Sequence, residues 1–415
     1  ALDSPVETVL EDCDCLMVED WTGPGKILLK RSNRYVLLAP DGSEKPLDIS
    51  GKHVRLLDNR IMLSAQSGRL LATRVDGQGT GPFSAPRTVL TGLRTAPLTG
   101  RGHYATSDNG LLAYVAGPPG DVAQIVRRHP DGREELLPFD ARIFGAMDVL
   151  DDGSRIAIVV EDATPDNTLV VLNLETGTSQ VVGDRTRNSA AIWTADGGAL
   201  CFATLVDSVY SIVEHPIDSV HPPTVLLSSP SILIPYDISS DNRLILLRNG
   251  EDPNSELSVW DRETGSLTMQ ARPSSGYLWA ATFSPDDCFV AYTKVGDGGS
   301  EVYVEPYPAT GKRWLVSAGL GEEPVWSQER RELVFRRGQG WYKVTYDDSG
   351  DFRPSAPELM FEDRYINIGG MEYRMLADGS MVLLVSANTE ETTDHLDIVV
   401  NWDQELARVL EAGGN

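Results

Sequence analysis

Histidines, cysteines and paired acids are the groups in this sequence that could bind a metal or move protons. The six histidines are His53, His103, His129, His215, His221 and His395, and no two have the i, i+4 spacing of a zinc site on a helix. His129 and His215 each precede proline and read as turn residues at strand ends. His53 and His103 each stand five residues before a recurring turn, so they fall near the start of a strand, where two imidazoles on adjacent units could share a metal at a channel. Cys13 and Cys15 lie among Asp12 and Asp14 and could hold a soft metal, but structural zinc uses four ligands at longer spacings, so a metal-free loop is the preferred reading. Cys201 and Cys288 fall in β-type runs and read as small core residues. The pairs Asp151-Asp152 and Asp286-Asp287 could serve glycosidase or calcium chemistry, yet they recur at the period of a repeat and read first as turn formers. Gly23-Pro24-Gly25-Lys26 has part of a phosphate loop, with Asp20 in place of the first glycine and Ile27 in place of the serine or threonine, and reads as a strand connection. Gly-x-Ser-x-Gly is absent, as are the glycine-rich and His-Arg-Asp loops of a kinase. The residues therefore point away from an enzyme, and no metal or cofactor is expected.

The elements that would position any site come from a repeat. The chain has 415 residues, with 36 Lys+Arg against 61 Asp+Glu, a formal net charge of −25. Such a surface is unsuited to nucleic acid or to an anionic membrane. No run reaches the roughly 18–20 apolar residues of a membrane span. The opening Ala1-Leu2-Asp3-Ser4-Pro5 is not a signal peptide, and a first residue other than methionine implies sequence upstream. A turn signal recurs at Asp108, Asp152, Asp196, Asp241 and Asp286, in steps of 44, 44, 45 and 45, then in degenerate form at Glu329 and again at Asp378; Asp58 reads as an earlier copy. Asp and Asn bond their own backbone in turns and Gly takes the positive φ that hairpins need. A β-type run follows each turn, then a third run and a second turn such as Glu175-Thr176-Gly177 or Glu263-Thr264-Gly265. Four short strands per 40–45 residues is the period of a β-propeller blade.

Second strands are predicted to start near Ile27, Ile61, Leu111, Ile156, Leu200, Leu244, Val290, Leu333 and Met381, which makes nine units. The ninth lacks a fourth strand after Leu396–Val400, and Pro5–Leu10 is an orphan fourth strand. Pairing them gives the expectation of an all-β fold: one large propeller of eight or nine four-stranded antiparallel blades over residues 1–415, closed by strands from both termini. A short helix is expected over 403–412, with Asp403 as its N-cap. Trp260, at the end of a third strand, is expected to seal blade against blade.

Several stretches resemble a known family. They are Glu301-Val302-Tyr303-Val304-Glu305-Pro306-Tyr307-Pro308, Gly311-Lys312-Arg313-Trp314-Leu315-Val316-Ser317, Glu323-Pro324-Val325-Trp326-Ser327 and Ile398-Val399-Val400-Asn401-Trp402-Asp403. They are similar to the TolB-like propeller that follows the membrane span of many bacterial receptor-type Ser/Thr kinases. Ser284-Pro285-Asp286-Asp287 departs from that pattern by losing its glycine, and Ser327-Gln328-Glu329-Arg330 by losing both Pro and Asp. The resemblance implies a non-catalytic sensor or docking domain of a larger envelope protein, periplasmic or otherwise outside the cytoplasm, which binds a protein or a small molecule. The rivals are a propeller lyase or hydrolase using His53 and His103 with a metal, and a freestanding periplasmic scaffold.

In a propeller the segment before each first strand opens at the channel mouth. Counting back from the turns reaches Arg101, Phe144, Arg187, Tyr277, Trp279 and Glu322, of which Arg101, Arg187, Tyr277 and Glu322 are the candidate ligand-binding residues. Two arginines on an acidic background could recognise a carboxylate or a phosphate. Replacing Arg101 and Arg187 is then expected to weaken binding without lowering the melting temperature.

Overall fold

The computed structural model describes residues 17–411 except 23–25, 32–33, 40, 48–51, 58–59, 67, 76–83, 96–100, 108, 118–121, 162–166, 183–189, 207–208, 218, 220, 251–254, 297, 348–350, 363–370, 372 and 388–395. The orphan strand Pro5–Leu10, the Cys13/Cys15 loop, Asp58, Asp108, Arg187 and His395 lie outside the described residues.

All nine second strands form within one residue of their predicted starts, from Lys26–Arg31 through Arg155–Glu161 to Met381–Ser386. The turn before them is built as its residue types dictate. Thr194 Oγ1 donates to Asp196, whose carboxylate also accepts the Gly198 amide at 3.1 Å. Ser239 with Asp241 and Ser284 with Asp286 repeat the arrangement. The third turn residue is left-handed in every such copy: Gly153, Gly197 and Gly379, but Asn242 (φ 61°) and Asp287 (φ 57°) where the glycine is lost. Those two side chains do what a glycine cannot. The Ala195 amide donates to Asn242 Oδ1 at 2.6 Å, and the Ser240 amide and hydroxyl both donate to Asp287. Each ties its turn to the turn of the preceding sheet.

The chain forms two compact units, 1–121 with 388–415, and 122–387. The first holds three sheets. Met17–Thr22 begins a four-stranded one and Lys52–Leu57 another. The third has the order Tyr104–Thr106, Leu112–Val115, Leu396–Val399, all antiparallel. The helix Trp402–Glu411 follows, burying Trp402, Leu406 and Leu410 in one cluster with Leu63, Leu70 and Leu112. Asp403 falls inside its first turn rather than at the cap, where Asn401 stands.

The second unit is a ring of six sheets. Five follow chain order, with first strands Arg142–Val149, Ala191–Trp193, Leu233–Ile238, Tyr277–Phe283 and Glu322–Trp326. The sixth joins the two ends of the unit: Tyr373–Met375 and Met381–Ser386 are completed by Val122–Arg128 and Glu134–Leu136. The six first strands are neighbours in one closed circuit. The core lies between sheets; Trp260, for example, is buried with Ile192, Cys201 and Ile245 across two of them, as expected of a sealing tryptophan. Cys288 is exposed in a turn rather than buried in a strand.

The all-β propeller class stands; the closure differs from expectation. The strand Leu396–Val399 completes the sheet of Leu112–Val115, and the sheet of Met381–Ser386 takes Val122–Arg128 as its third strand. The closed ring therefore contains six of the nine units and is sealed by strands at 122–136 and 373–386, not by the chain termini. The physical reason is that antiparallel pairing is satisfied by any strand of matching length and pattern, so sequence neighbours need not pair. Leu383 is fully buried in the closing sheet, opposite Val126 and Tyr373. Leu383→Ala should cost about 3 kcal/mol in urea unfolding, whereas Val181→Ala, on an exposed outer strand, should change stability by under about 0.5 kcal/mol.

Candidate functional site

Of the sequence candidates, Arg101 lies in the first unit. Its Nη1 is 2.9 Å from Glu19 Oε1, and the Glu19 side chain is only 2% exposed. Beside them Asp20 accepts the Leu56 amide and lies 3.6 Å from Arg55. His53 is left-handed (φ 54°), and its Nδ1 is 2.6 Å from the Gly102 carbonyl, which an Nδ1–H satisfies. Tyr104 donates its hydroxyl to the His53 carbonyl at 2.6 Å and packs on the imidazole. Burial holds the His53 pKa below its ordinary value. His53 and Arg101 thus come together at the starts of first strands, as the repeat places them, while His103 points to solvent. Their bonds are structural. In the second unit Tyr373 donates to the carbonyl of Glu323, another left-handed residue near the start of a first strand, so the same tyrosine clasp occurs in both units. Among the described residues no group of three His, Cys, Asp or Glu could hold a metal ion.

Tyr277 and Glu322 begin two adjacent first strands of the ring. Tyr277 is 37% exposed, and Glu322 Oε1 is 3.4 Å from Arg336, whose buried guanidinium is held mainly by Glu323 at 2.9 Å. Neither residue is among the described residues that line the cavity of about 480 Å³ at the turn end of the ring. Phe144 is buried.

The cavity lies at the other end of those strands, beside the first turns. It measures about 480 Å³ and is lined from all six sheets. Among the described residues its ionisable wall groups are Asp148, Asp151, Asp152, Asp196, Asp237 and Asp287, with Arg374 the one cation. Asp148 and Asp237 occupy the same repeat position, four residues before the turn Asp, and do the same work. Asp148 accepts the Trp193 amide of the next sheet at 2.8 Å and binds Arg374 Nε at 2.7 Å. Asp237 accepts the Phe283 amide of its next sheet at 2.8 Å and the Thr282 hydroxyl at 2.7 Å. Burial, which the bonds to Thr282 and Phe283 only partly offset, raises Asp237 to about 6. Asp151 is also raised, by burial first and then by the charges of Asp148 and Asp152. Asp196 is lowered, chiefly by its bond from Thr194.

Sequence reading assigned the paired acids to turns, which is where they lie, but not to a shared cavity. A signal was present: a charged residue within the first strand, four residues before the turn, at Asp148, Asp237 and Arg374.

Sheets of four antiparallel strands, inner strands in a closed circuit and closure by strands from both ends of the unit define a β-propeller. Among solved structures the chain is similar to a TolB-type protein of Agrobacterium tumefaciens, at 13% identity over 64% of this chain and 98% of that one, with a TM-score of 0.51. It is also similar to TolB of Acinetobacter baumannii (13% identity, 78% of each chain, TM-score 0.39) and to oligogalacturonate lyase of Vibrio parahaemolyticus (12%, 72% and 82%, TM-score 0.42). At such identities the likeness is one of fold, a TolB-like β-propeller. No protein-family model and no curated protein matches the sequence.

Two outcomes follow. Arg101→Ala strands the buried Glu19 carboxylate, so it should lower stability by about 1–3 kcal/mol, against the expectation of an unchanged melting temperature; thermal unfolding of the variant checks this. For Asp237 the folded pKa lies above the unfolded 3.8, so the folded state binds the proton more tightly. Its contribution is fully present below about pH 4 and is lost as the pH rises through about 6. Asp237→Asn should therefore remove a fall in stability of up to about 3 kcal/mol across that window, read from urea midpoints at successive pH values.

Proposed function

We propose that this protein is a non-catalytic binding propeller whose ligand site is the acid-lined cavity at the turn end of the six-sheet ring. The observation that carries the reading is how the wall is used. Asp148, Asp196, Asp237 and Asp287 accept hydrogen bonds that hold turns and join sheets, at positions set by the repeat. Groups locked in that way present a fixed pattern of charge to a ligand, which suits recognition.

The sequence resemblance extends the reading to a sensor or docking domain of a larger bacterial envelope protein, placed outside the cytoplasm and possessing a membrane-spanning kinase in the same chain. Among the described residues no helix is long and apolar enough to cross a membrane. The ligand is a protein segment or a small molecule.

A photo-crosslinking amino acid at Ala195, on the cavity wall, should form a discrete adduct in the native host. The same group at Val225, exposed on an outer strand, should not. Equal labelling from both positions, or none from Ala195, would sink the reading.

A further inference from the structure

Independently of the cavity, we propose that the imidazole of His53 is an acid-released latch between two sheets of the first unit: it holds them while neutral and lets their first strands part when it takes up a proton. His53 stands in a bulge of the strand Lys52–Leu57, between Lys52 and Arg55, with a left-handed backbone (φ 54°). From there it grips the sheet of Tyr104–Thr106 twice. Its Nδ1 is 2.6 Å from the Gly102 carbonyl, and its own carbonyl accepts the Tyr104 hydroxyl at 2.6 Å. A carbonyl only accepts, so Nδ1 carries the proton of the neutral ring and acid adds the second at Nε2. The acceptor has no slack: a Cβ on Gly102 would come within 2.7 Å of Ala65 and of Leu93, side chains of the buried cluster beneath.

The charges around the ring balance only while it is neutral. Arg101 is 2.9 Å from Glu19, and Arg55 is 3.6 Å from Asp20, so each cation already has its anion. The nearby hydroxyls of Tyr35 and Tyr104 are kept protonated by burial, and His103 is exposed. Among the described residues no carboxylate bonds the imidazole. A second proton on His53 therefore sets three cations against two anions in a half-buried site. Burial first, and then the charges of Arg101 and Arg55, lower its pKa, against the Gly102 carbonyl and Glu19, which raise it. The folded state thus binds the proton more weakly than the unfolded chain, whose value is 6.5. The hold of the latch is fully present above about pH 6.5 and is lost as the pH falls through the lower folded value.

The test uses the whole chain and two readouts. Proton NMR follows the His53 ring, assigned by its contacts with the Tyr104 ring, which lies 4.5 Å away centroid to centroid. Hydrogen exchange follows residues 52–57 and 101–106, with the strand Arg155–Glu161 of the second unit as control. His53 should titrate below 6.5. With the intrinsic pH dependence of exchange removed, both segments should exchange faster at about pH 5 than at about pH 7.5, by up to about thirtyfold, the ceiling for a group that titrates near 6.5 once released. The control should not change. His53→Asn keeps a donor for Gly102 and tolerates the left-handed backbone but does not titrate, so its exchange should be the same at both pH values. A His53 titration at or above 6.5, no acceleration in the native protein, or equal acceleration in His53→Asn would overturn the proposal. Should that variant not fold, the native protein still decides: an acceleration whose midpoint departs from the His53 titration overturns it equally.

Discussion

A four-stranded sheet with apolar residues on both faces cannot stand alone, and the second unit depends on closing a ring so that each face meets another. Pairing of Val122–Arg128 with Met381–Ser386 removes the two end sheets that an open row would leave. The closure is then reinforced sheet by sheet at the inner strands. Arg374 bonds Asp148, which takes the Trp193 amide; Asn242 takes the Ala195 amide; Asp237 takes the Phe283 amide. The Glu323 amide donates to Thr293, and Tyr373 donates to Glu323, returning to the closing sheet. Each bond has a net worth of about 1 kcal/mol, small beside the apolar burial. The bonds are directional, however, and fix the rotation of each sheet against the next, which burial does not.

The acidity of the cavity follows from the same repetition. Aspartate suits the turn because it bonds its own backbone, and a ring brings several copies of that turn to one end of one axis. Where glycine is lost, Asn242 and Asp287 accept amides of the preceding turn, and Asp287 adds another carboxylate to the wall. A chain of these turns in an extended array would hold its charges apart. The ring concentrates them, and Asp237 and Asp151 are raised first by burial and then by the charge of Asp148 beside them. The polarity of the site is thus a consequence of local turn chemistry multiplied by symmetry.

The repeat was legible because its signal is local. Turn residues and the β-type run after them lie within a few positions, and the nine second strands appear where the spacing puts them. Closure was not legible, because the choice between Val122–Arg128 and Leu396–Val399 as partner for Leu112–Val115 is made across some 280 residues, between strands of similar pattern. The site was half legible. Counting back from the turns does reach the starts of first strands, and it brought His53 and Arg101 together, but there the polar groups are consumed by clasps and ion pairs. Counting forward to the ends of the same strands reaches the cavity. The acids there were read by their local role alone, since nothing in one turn shows that five others surround it.

The two ends of the first strands differ in what their polar groups can still do. At the starting end, Glu323 and Arg336 are fully buried against each other, and Tyr373 closes over the Glu323 carbonyl. A ligand arriving there would have to break a buried pair, which costs more than most new contacts return. At the turn end the carboxylates accept at most three hydrogen bonds each from the described residues, as Asp148 and Asp237 do. A carboxylate offers about four, so it can keep its structural bonds and accept more. The cavity can therefore gain a ligand without loosening the bonds that shape it, and that asymmetry favours recognition at the turn end of the ring.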